Sequence, residues 1–424
     1  MKEELLYFIW HLQYFDKQSI STTQGEPLQI LSRGVRNEHS GPDFDQARIH
    51  MGGIEWIGSV EIHVKSSDWN THQHQYDEAY NRVVLHVVWQ EDQSVYRQDG
   101  TLIPTLVLSD LVDDSVLDNY RQLVFEPSTR QAIACASQLP QIDDITKLSM
   151  LEKTAVLRLV RKSEEVENRH RKNRGDWTRT AYQTLVRSFG FNGNADPFEQ
   201  LSYAAPLSLI IRYQDDFNTL AALLLGQAGL LDDEEWPSDW QKTYTFLSAK
   251  HQLATSRMSR GQWRFFRTRP ANFPTIRIVQ LANVLARCSK DITHVFSRLS
   301  LEQYFALFSV SGEDRVCLIP VLGKESIYKI LINAIAPYQF AYGEFFHDQH
   351  WKDHALLLLQ SLPPEKNHLV SKYRKYGYPL QSAFDTQAVL ELHHSFCQKK
   401  RCLSCTIGGS IVKNNKIVVT SASH

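Results

Sequence analysis

The sequence predicts an α+β protein in which a mixed, strand-rich α/β module opens the chain and a larger, mostly helical part follows. Three observations carry this. Up to about residue 110, short β-branched and aromatic runs are punctuated by Gly, Asp and Asn. Beyond about residue 140, apolar residues recur at helical spacing. A chain of 424 residues is also too long for one ordinary core.

Element by element, Leu5, Leu6, Ile9, Trp10 and Leu12 fall at helical spacing and predict an opening amphipathic helix. Strand-like runs follow: LQILSRG, ARIHMGG, IEWIGSVEIHVK, RVVLHVVWQ and TLIPTLVL. Gly52-Gly53 signals a hairpin turn between two of them. YDEAYN reads as a short helix or turn. The stretch FEPSTRQAIACASQLPQ marks the boundary, giving modules over 1–130 and 131–424. Helical runs then dominate: LSMLEKTAVLRLVRKSEEVENRHRK, WTRTAYQTLVRSFG, FNTLAALLLGQAG, TIRIVQLANVLARC, LGKESIYKILINAIAPYQFAYG and DTQAVLELHHSFC. The closing KIVVTSASH reads as a frayed strand-like tail.

Acidic and basic residues nearly cancel, leaving a formal charge of −1, so net charge implies no polyanionic or polycationic partner. No run of 18 apolar residues is present, which excludes a hydropathy-defined transmembrane helix. The first residues, MKEELLYFIWHLQYFD, lack the basic start and unbroken apolar core of a signal peptide. Six cysteines in so long a chain make no disulfide scaffold and read as thiols or metal ligands in a reducing compartment, the cytoplasm. Nothing identifies a protein partner.

Histidine is the unusual count, 17 in all, and many of them crowd one acidic segment. Asp43 follows Gly41-Pro42 at the start of one strand. Glu61, His63 and Lys65 alternate along another and share a face. Pairing through the Gly52-Gly53 turn brings Asp43 toward Glu61. Two carboxylates with a nearby imidazole and ammonium are a layout for holding Mg²⁺ or Mn²⁺ and activating water. His72 and His74, between Asp68 and Asp77, are candidate ligands for Zn²⁺, Mn²⁺ or Fe if the chain is extended there; the alternative is loop hydrogen bonding. His86, flanked by valines and a leucine, reads as a core or supporting histidine, and Trp69 and Tyr80 as packing residues.

Pro42-Asp43 followed by Glu61-Ile62-His63 resembles the PD-(D/E)xK nuclease pattern. That resemblance implies a restriction-endonuclease-like module with metal-binding acids on adjacent strands and DNA or RNA as substrate. It also implies a first helix supplying a further acid, here Glu3 or Glu4. The superfamily's Lys position is His63 in this chain, with Lys65 one same-face step further on. Either can take that role. Across most of its length the chain is also similar to a bacterial family known as domain of unknown function 2851. GPDF, GSVEIHVKSSDW, HQHQYDEAYNRVVLHVV, LLLGQAGLL, RPANFP and CQKKRCLSCTIG carry the likeness. The family implies no activity.

Cys397, Cys402 and Cys405 form C-x4-C-x2-C behind His393-His394, a spacing that suits a shared metal. A fourth ligand comes from Cys135 or from His393 or His394. An upstream cysteine with a late triplet resembles the iron–sulfur clasp of some PD-(D/E)xK nucleases. That parallel implies an Fe–S cluster if Cys135 is the ligand and zinc if a histidine is. Cys288 and Cys317 sit in apolar contexts and read as core. Three Arg- and Lys-rich stretches with aromatics are candidate phosphate contacts or solvated helix faces: RLVRKSEEVENRHRKNRGDW, SRMSRGQWRFFRTRP and KYRKYGYP.

Three functions are thereby in view. The first is a metal-dependent nuclease or phosphodiesterase, with Asp43 and Glu61 as ligands and His63 or Lys65 beside the scissile phosphate. The second is a non-catalytic nucleic-acid-binding or scaffold protein. The third is a histidine-rich metal hydrolase of a small molecule, using His63, His72 and His74.

Overall fold

The computed structural model describes residues 2–37, 39–125, 133–232, 236–266, 272–288, 291–309 and 321–413. The chain divides into two compact units, Met1–Met150 with His393–His424, and Leu151–Leu392. The C-terminal segment bearing three of the cysteines therefore belongs with the strand-rich unit. Arg267, Arg269, Cys317 and the KIVVTSASH tail lie outside the described residues.

The first unit is a six-stranded mixed sheet opened by helix α1 (Glu3–Leu12). Its strands are β1 (Leu28–Ser32), β2 (Val35–Arg36), β3 (Phe44–Met51), β4 (Ile54–Lys65), β5 (Val83–Gln90) and β6 (Thr105–Val107). The order is β1-β3-β4-β5-β6, with the short β2 also pairing β3. β1, β3 and β4 run antiparallel, the last two joined by the Gly52-Gly53 turn, both glycines having positive φ. β5 then lies parallel to β4, and β6 parallel to β5. A parallel neighbour requires a crossover, supplied by helix α2 (Asp68–Thr71) and two 3₁₀ turns. YDEAYN falls in this crossover, partly as the 3₁₀ turn Glu78–Arg82.

β5 lies between β4 and β6 and is covered on both sides, which is why VVLHVV is apolar on both faces except at His86 and all six residues are buried. Leu5, Leu6, Phe8, Ile9 and Trp10 of α1 are buried, matching the amphipathic spacing of the opening segment. Helix α3 (Asp114–Val124) packs against the C-terminal helix Thr406–Lys413, where Asn119 donates to the Val412 carbonyl. Gly409 sits close to the Phe8 ring, so this last helix also packs beside α1.

Among its described residues the second unit's regular elements are all helices, and it begins inside the 29-residue helix α4 (Asp144–Lys172). Each helical run recognised in the sequence lies largely within helix here. Among the described residues, no helix is long and apolar enough to cross a membrane.

Candidate metal centre

β3 and β4 bring the two carboxylates together through a reciprocal arrangement. The Asp43 N–H donates to Glu61 Oε2 at 3.1 Å, and the Ile62 N–H donates to Asp43 Oδ2 at 3.0 Å. The strand register slips between Phe44 and Ala47, beside Asp43, and Gln46 within this bulge has φ of 59°. Bulges of this kind re-aim neighbouring side chains. Gly34 makes room for it: a Cβ there would lie 2.6 Å from the Asp45 carbonyl oxygen.

Parallel pairing puts Glu61 opposite His86. His63 Nδ1 lies 2.8 Å from His86 Nε2, and His63 Nε2 lies 3.1 Å from His72 Nδ1. Glu61 Oε1 is 3.5 Å from His63 Nε2 and 3.4 Å from His74 Nε2. One ring nitrogen each from His63, His72 and His74 fit within 4.8 Å of one another. Ligands about 2.1 Å from a tetrahedral ion stand about 3.4 Å apart, so small side-chain shifts would bring these donors onto one ion. His74 Nε2 is buried without a hydrogen-bond partner.

His72 and His74 do not alternate on an extended chain. His72 ends helix α2, Gln73 turns left-handed with φ of 64°, and His74 opens a 3₁₀ turn. That reversal, rather than strand pleating, aims both rings at His63. Trp69 and Tyr80 hold the crossover from behind, as packing residues. Tyr80 stacks on the His74 ring with centroids 3.8 Å apart. Asp68 accepts from the Lys65 N–H, and Asp77 caps the second 3₁₀ turn, so both acids shape the loop.

The floor of the site, Glu61, His63 and His86, is buried; Glu3, Tyr7, Asp43 and His74 are half-buried; His72 is exposed at the mouth. Burial raises the Asp43 carboxyl above the usual range, with the neighbouring Glu61 charge adding to it. Burial likewise raises Glu61, and the Glu3 carboxylate adds to that effect. Burial and the surrounding imidazoles depress His63 to about 2, and burial depresses His86 to about 3. Unpaired buried charges are costly, so each group is driven toward its neutral form. A divalent cation would reverse this for the acids while favouring the neutral imidazoles as ligands.

The structure thus brings together Asp43, Glu61, His63, His72 and His74. Lys65 is exposed four residues along β4 from Glu61, roughly 13 Å at strand rise, and its side chain joins none of the described contacts of the group. Tyr7, not singled out in the sequence, hydrogen-bonds Asp43, and its hydroxyl is pushed well up, first by burial and then by Asp43. The signal was available: Tyr7 follows Glu3 by four residues, on the same face of α1. Glu3 exerts its charge on both site carboxylates.

Cys135, Cys397, Cys402 and Cys405 line one small cavity in the same unit. Burial raises the Cys135 thiol, and the sulfurs of Cys397, Cys405 and Cys402 raise it further. His393 and His394 are not among the residues lining that cavity. Cys288 is buried, with its Sγ donating to the Val284 carbonyl, as a core thiol does.

In the second unit several basic residues are tied to acids. Arg158 and Arg161 pair with Glu391, and Arg169 and Arg187 with Glu199. Trp263 is buried and donates to the Ala228 carbonyl. A cavity of about 270 Å³ lined by Lys162, Arg169, Arg187 and Lys329 lies among these helices. Among the described residues, Glu165 is the single acid in its lining, and no imidazole joins it.

No curated protein and no solved structure matches the chain. The matching family model ends before the cysteine-bearing segment 397–405. Over residues 3–368 the chain matches the model described as "Protein of unknown function (DUF2851)", and it belongs to that family.

Proposed function

We propose that this protein is a metal-dependent hydrolase of phosphodiester bonds in nucleic acid. The observation that carries the reading is the cluster of His63, His72 and His74, open at His72, with the Glu61 carboxylate beside His63 and His74 and Asp43 bonded to Glu61 through its N–H. Three imidazoles and a carboxylate suit Mn²⁺, Fe²⁺ or Zn²⁺ better than Mg²⁺, which prefers oxygen and water. The bound ion would supply an acidified water and offset charge on a phosphoryl oxygen.

The protein's own groups do the rest. Glu61, His63, His72 and His74 would hold the ion, and His86 fixes the orientation of the His63 ring. Asp43, hydrogen-bonded by Tyr7, is placed to accept the proton of the attacking water. Attack forms a new P–O bond and breaks the ester P–O bond, releasing an alcohol and a phosphate monoester. The sequence of elements supports this reading too: an opening helix with an acid facing the site, then Asp and Glu on adjacent antiparallel strands, then a crossover to a parallel strand. The resemblance to PD-(D/E)xK nucleases implies such an arrangement.

The full-length protein, assayed on single- and double-stranded DNA and on RNA with Mn²⁺, Zn²⁺ or Mg²⁺, is expected to cut one of them. Asp43→Ala and Glu61→Gln are expected to lower the rate at least about 100-fold, the usual scale for a general base or metal ligand. Equal cutting by wild type and both variants would expose a contaminant and sink the proposal. Salt-dependent binding without cutting would point to a nucleic-acid-binding scaffold instead. The tight His63–His72–His74 set also favours a second reading, hydrolysis of a small ester or phosphoester. Turnover of small aryl esters or phosphoesters with no cleavage of polymer would select it.

A further inference from the structure

A second cluster of metal-ligating side chains lies outside the histidine site. Cys135 and the triplet Cys397, Cys402 and Cys405 are more than 260 residues apart in the chain, yet they line one cavity. The local backbone is built to present them. The helix Ala383–Glu391 runs on into a π-helical turn, Leu392–Cys397, which delivers Cys397 at its end. Such turns recur at functional sites. Lys400 then takes a left-handed φ of 53°, reversing the chain toward Cys402.

Cys402 and Cys405 are joined by a turn in which the Cys405 N–H donates to the Cys402 carbonyl. The helix Thr406–Lys413 starts directly after it. Gly408 lines the same cavity and lets this turn close, since a Cβ there would lie 2.1 Å from the Cys402 carbonyl oxygen. Arg401 is also in the lining, and Lys399 and Lys400 precede it, so positive charge stands beside the sulfurs.

We infer that Cys135, Cys397, Cys402 and Cys405 form a four-thiolate metal centre that pins the C-terminal segment to the strand-rich unit. Four thiolates are the ligand set of structural zinc and of iron–sulfur clusters. The C-x4-C-x2-C spacing with one distant cysteine occurs among iron–sulfur proteins. Neighbouring arginine and lysines offset the net negative charge that four thiolates leave on either group. The centre makes no use of the histidine site, so its occupancy is independent of the proposed hydrolysis.

The test is metal and acid-labile sulfide analysis of the full-length protein purified without oxygen, alongside its variants. Wild type is expected to hold stoichiometric iron with sulfide and visible absorption, or stoichiometric zinc without either. Both results support the centre and distinguish its occupant. Cys135→Ser and Cys402→Ser are expected to lose that metal, whereas Cys288→Ser and His72→Ala keep it. Wild type lacking both metals, or metal in a His63→Ala, His72→Ala background that survives the further changes Cys135→Ser and Cys402→Ser, overturns the inference. Should the serine variants prove insoluble, cobalt(II) added to chelator-stripped wild type gives the same answer. Intense thiolate-to-cobalt charge-transfer bands support a thiolate site, and weak octahedral spectra overturn it.

Discussion

His63 has its two ring nitrogens in different company. Nδ1 meets His86, and Nε2 faces His72 and the Glu61 carboxylate. With Nδ1–H donated to His86, the Nε2 lone pair is left for a cation, the usual division of labour for a metal-bound histidine. His72 is the exposed member of the set and carries no core packing. His72→Ala is therefore expected to weaken Mn²⁺ or Zn²⁺ binding by about 10- to 100-fold or more while leaving thermal stability of the metal-free protein within about 0.5 kcal/mol. Titration calorimetry together with a thermal melt checks both halves. Unchanged affinity would remove His72 from the ligand set. Identities at this scale were readable in the sequence, because Asp43, Glu61 and the paired histidines are chemically conspicuous. Tyr7 was marked only by its spacing from Glu3, and a tyrosine on an apolar helix face looks like packing until its hydroxyl is seen at a carboxylate.

At the scale of elements, the β3–β4 bulge decides whether the two carboxylates meet. Gly34 permits it, with φ of 85° and no room for a methyl group beside the Asp45 carbonyl. Gly34→Ala is expected to cost about 1–3 kcal/mol and to lower metal affinity, because Asp43, two residues from the displaced carbonyl, holds the Glu61 carboxylate through its N–H. Urea denaturation and metal titration of the same sample measure the two effects. In the second unit, Glu391 is buried between Arg158 and Arg161. Glu391→Ala leaves Arg158 mostly buried without its carboxylate and is expected to destabilise by roughly 3 kcal/mol. A loss of unfolding free energy below about 1 kcal/mol in urea denaturation would show the pair to be dispensable. Element types were legible from periodicity, including the hairpin and the long helices. The α2–Gln73 reversal was not, because no residue in HQHQY announces a left-handed turn.

For the molecule as a whole, burying neutral histidines makes stability depend on pH. His63 and His86 titrate at about 2 and about 3 in the folded chain, below their ordinary value of 6.5. The unfolded chain therefore binds more protons below that value, so stability is fully present above about pH 6.5 and is lost as pH falls. The loss approaches about 1.4 kcal/mol per pH unit for each histidine. The raised Asp43 and Glu61 carboxyls hold protons in the folded chain over the same range and act in the opposite sense, so urea midpoints of metal-free protein are expected to change little from pH 7 to pH 5, and His86→Gln should make stability rise as pH falls. An unchanged profile in His86→Gln would mean that this ring is solvated.

Composition and periodicity by themselves determined the α+β class, the strand-rich opening and the helical remainder, because burial of apolar side chains obeys local repeats of 2 and 3.6 residues. They also determined which side chains have ligand chemistry. Tertiary structure alone decided which of these meet. It joined Asp43 to Glu61 through strand register, drew His72 and His74 onto His63 through a crossover turn, and brought Cys135 to a triplet at the far end of the chain. It also left Lys65 exposed along the strand. Those encounters depend on long-range packing, which no local pattern of residues encodes.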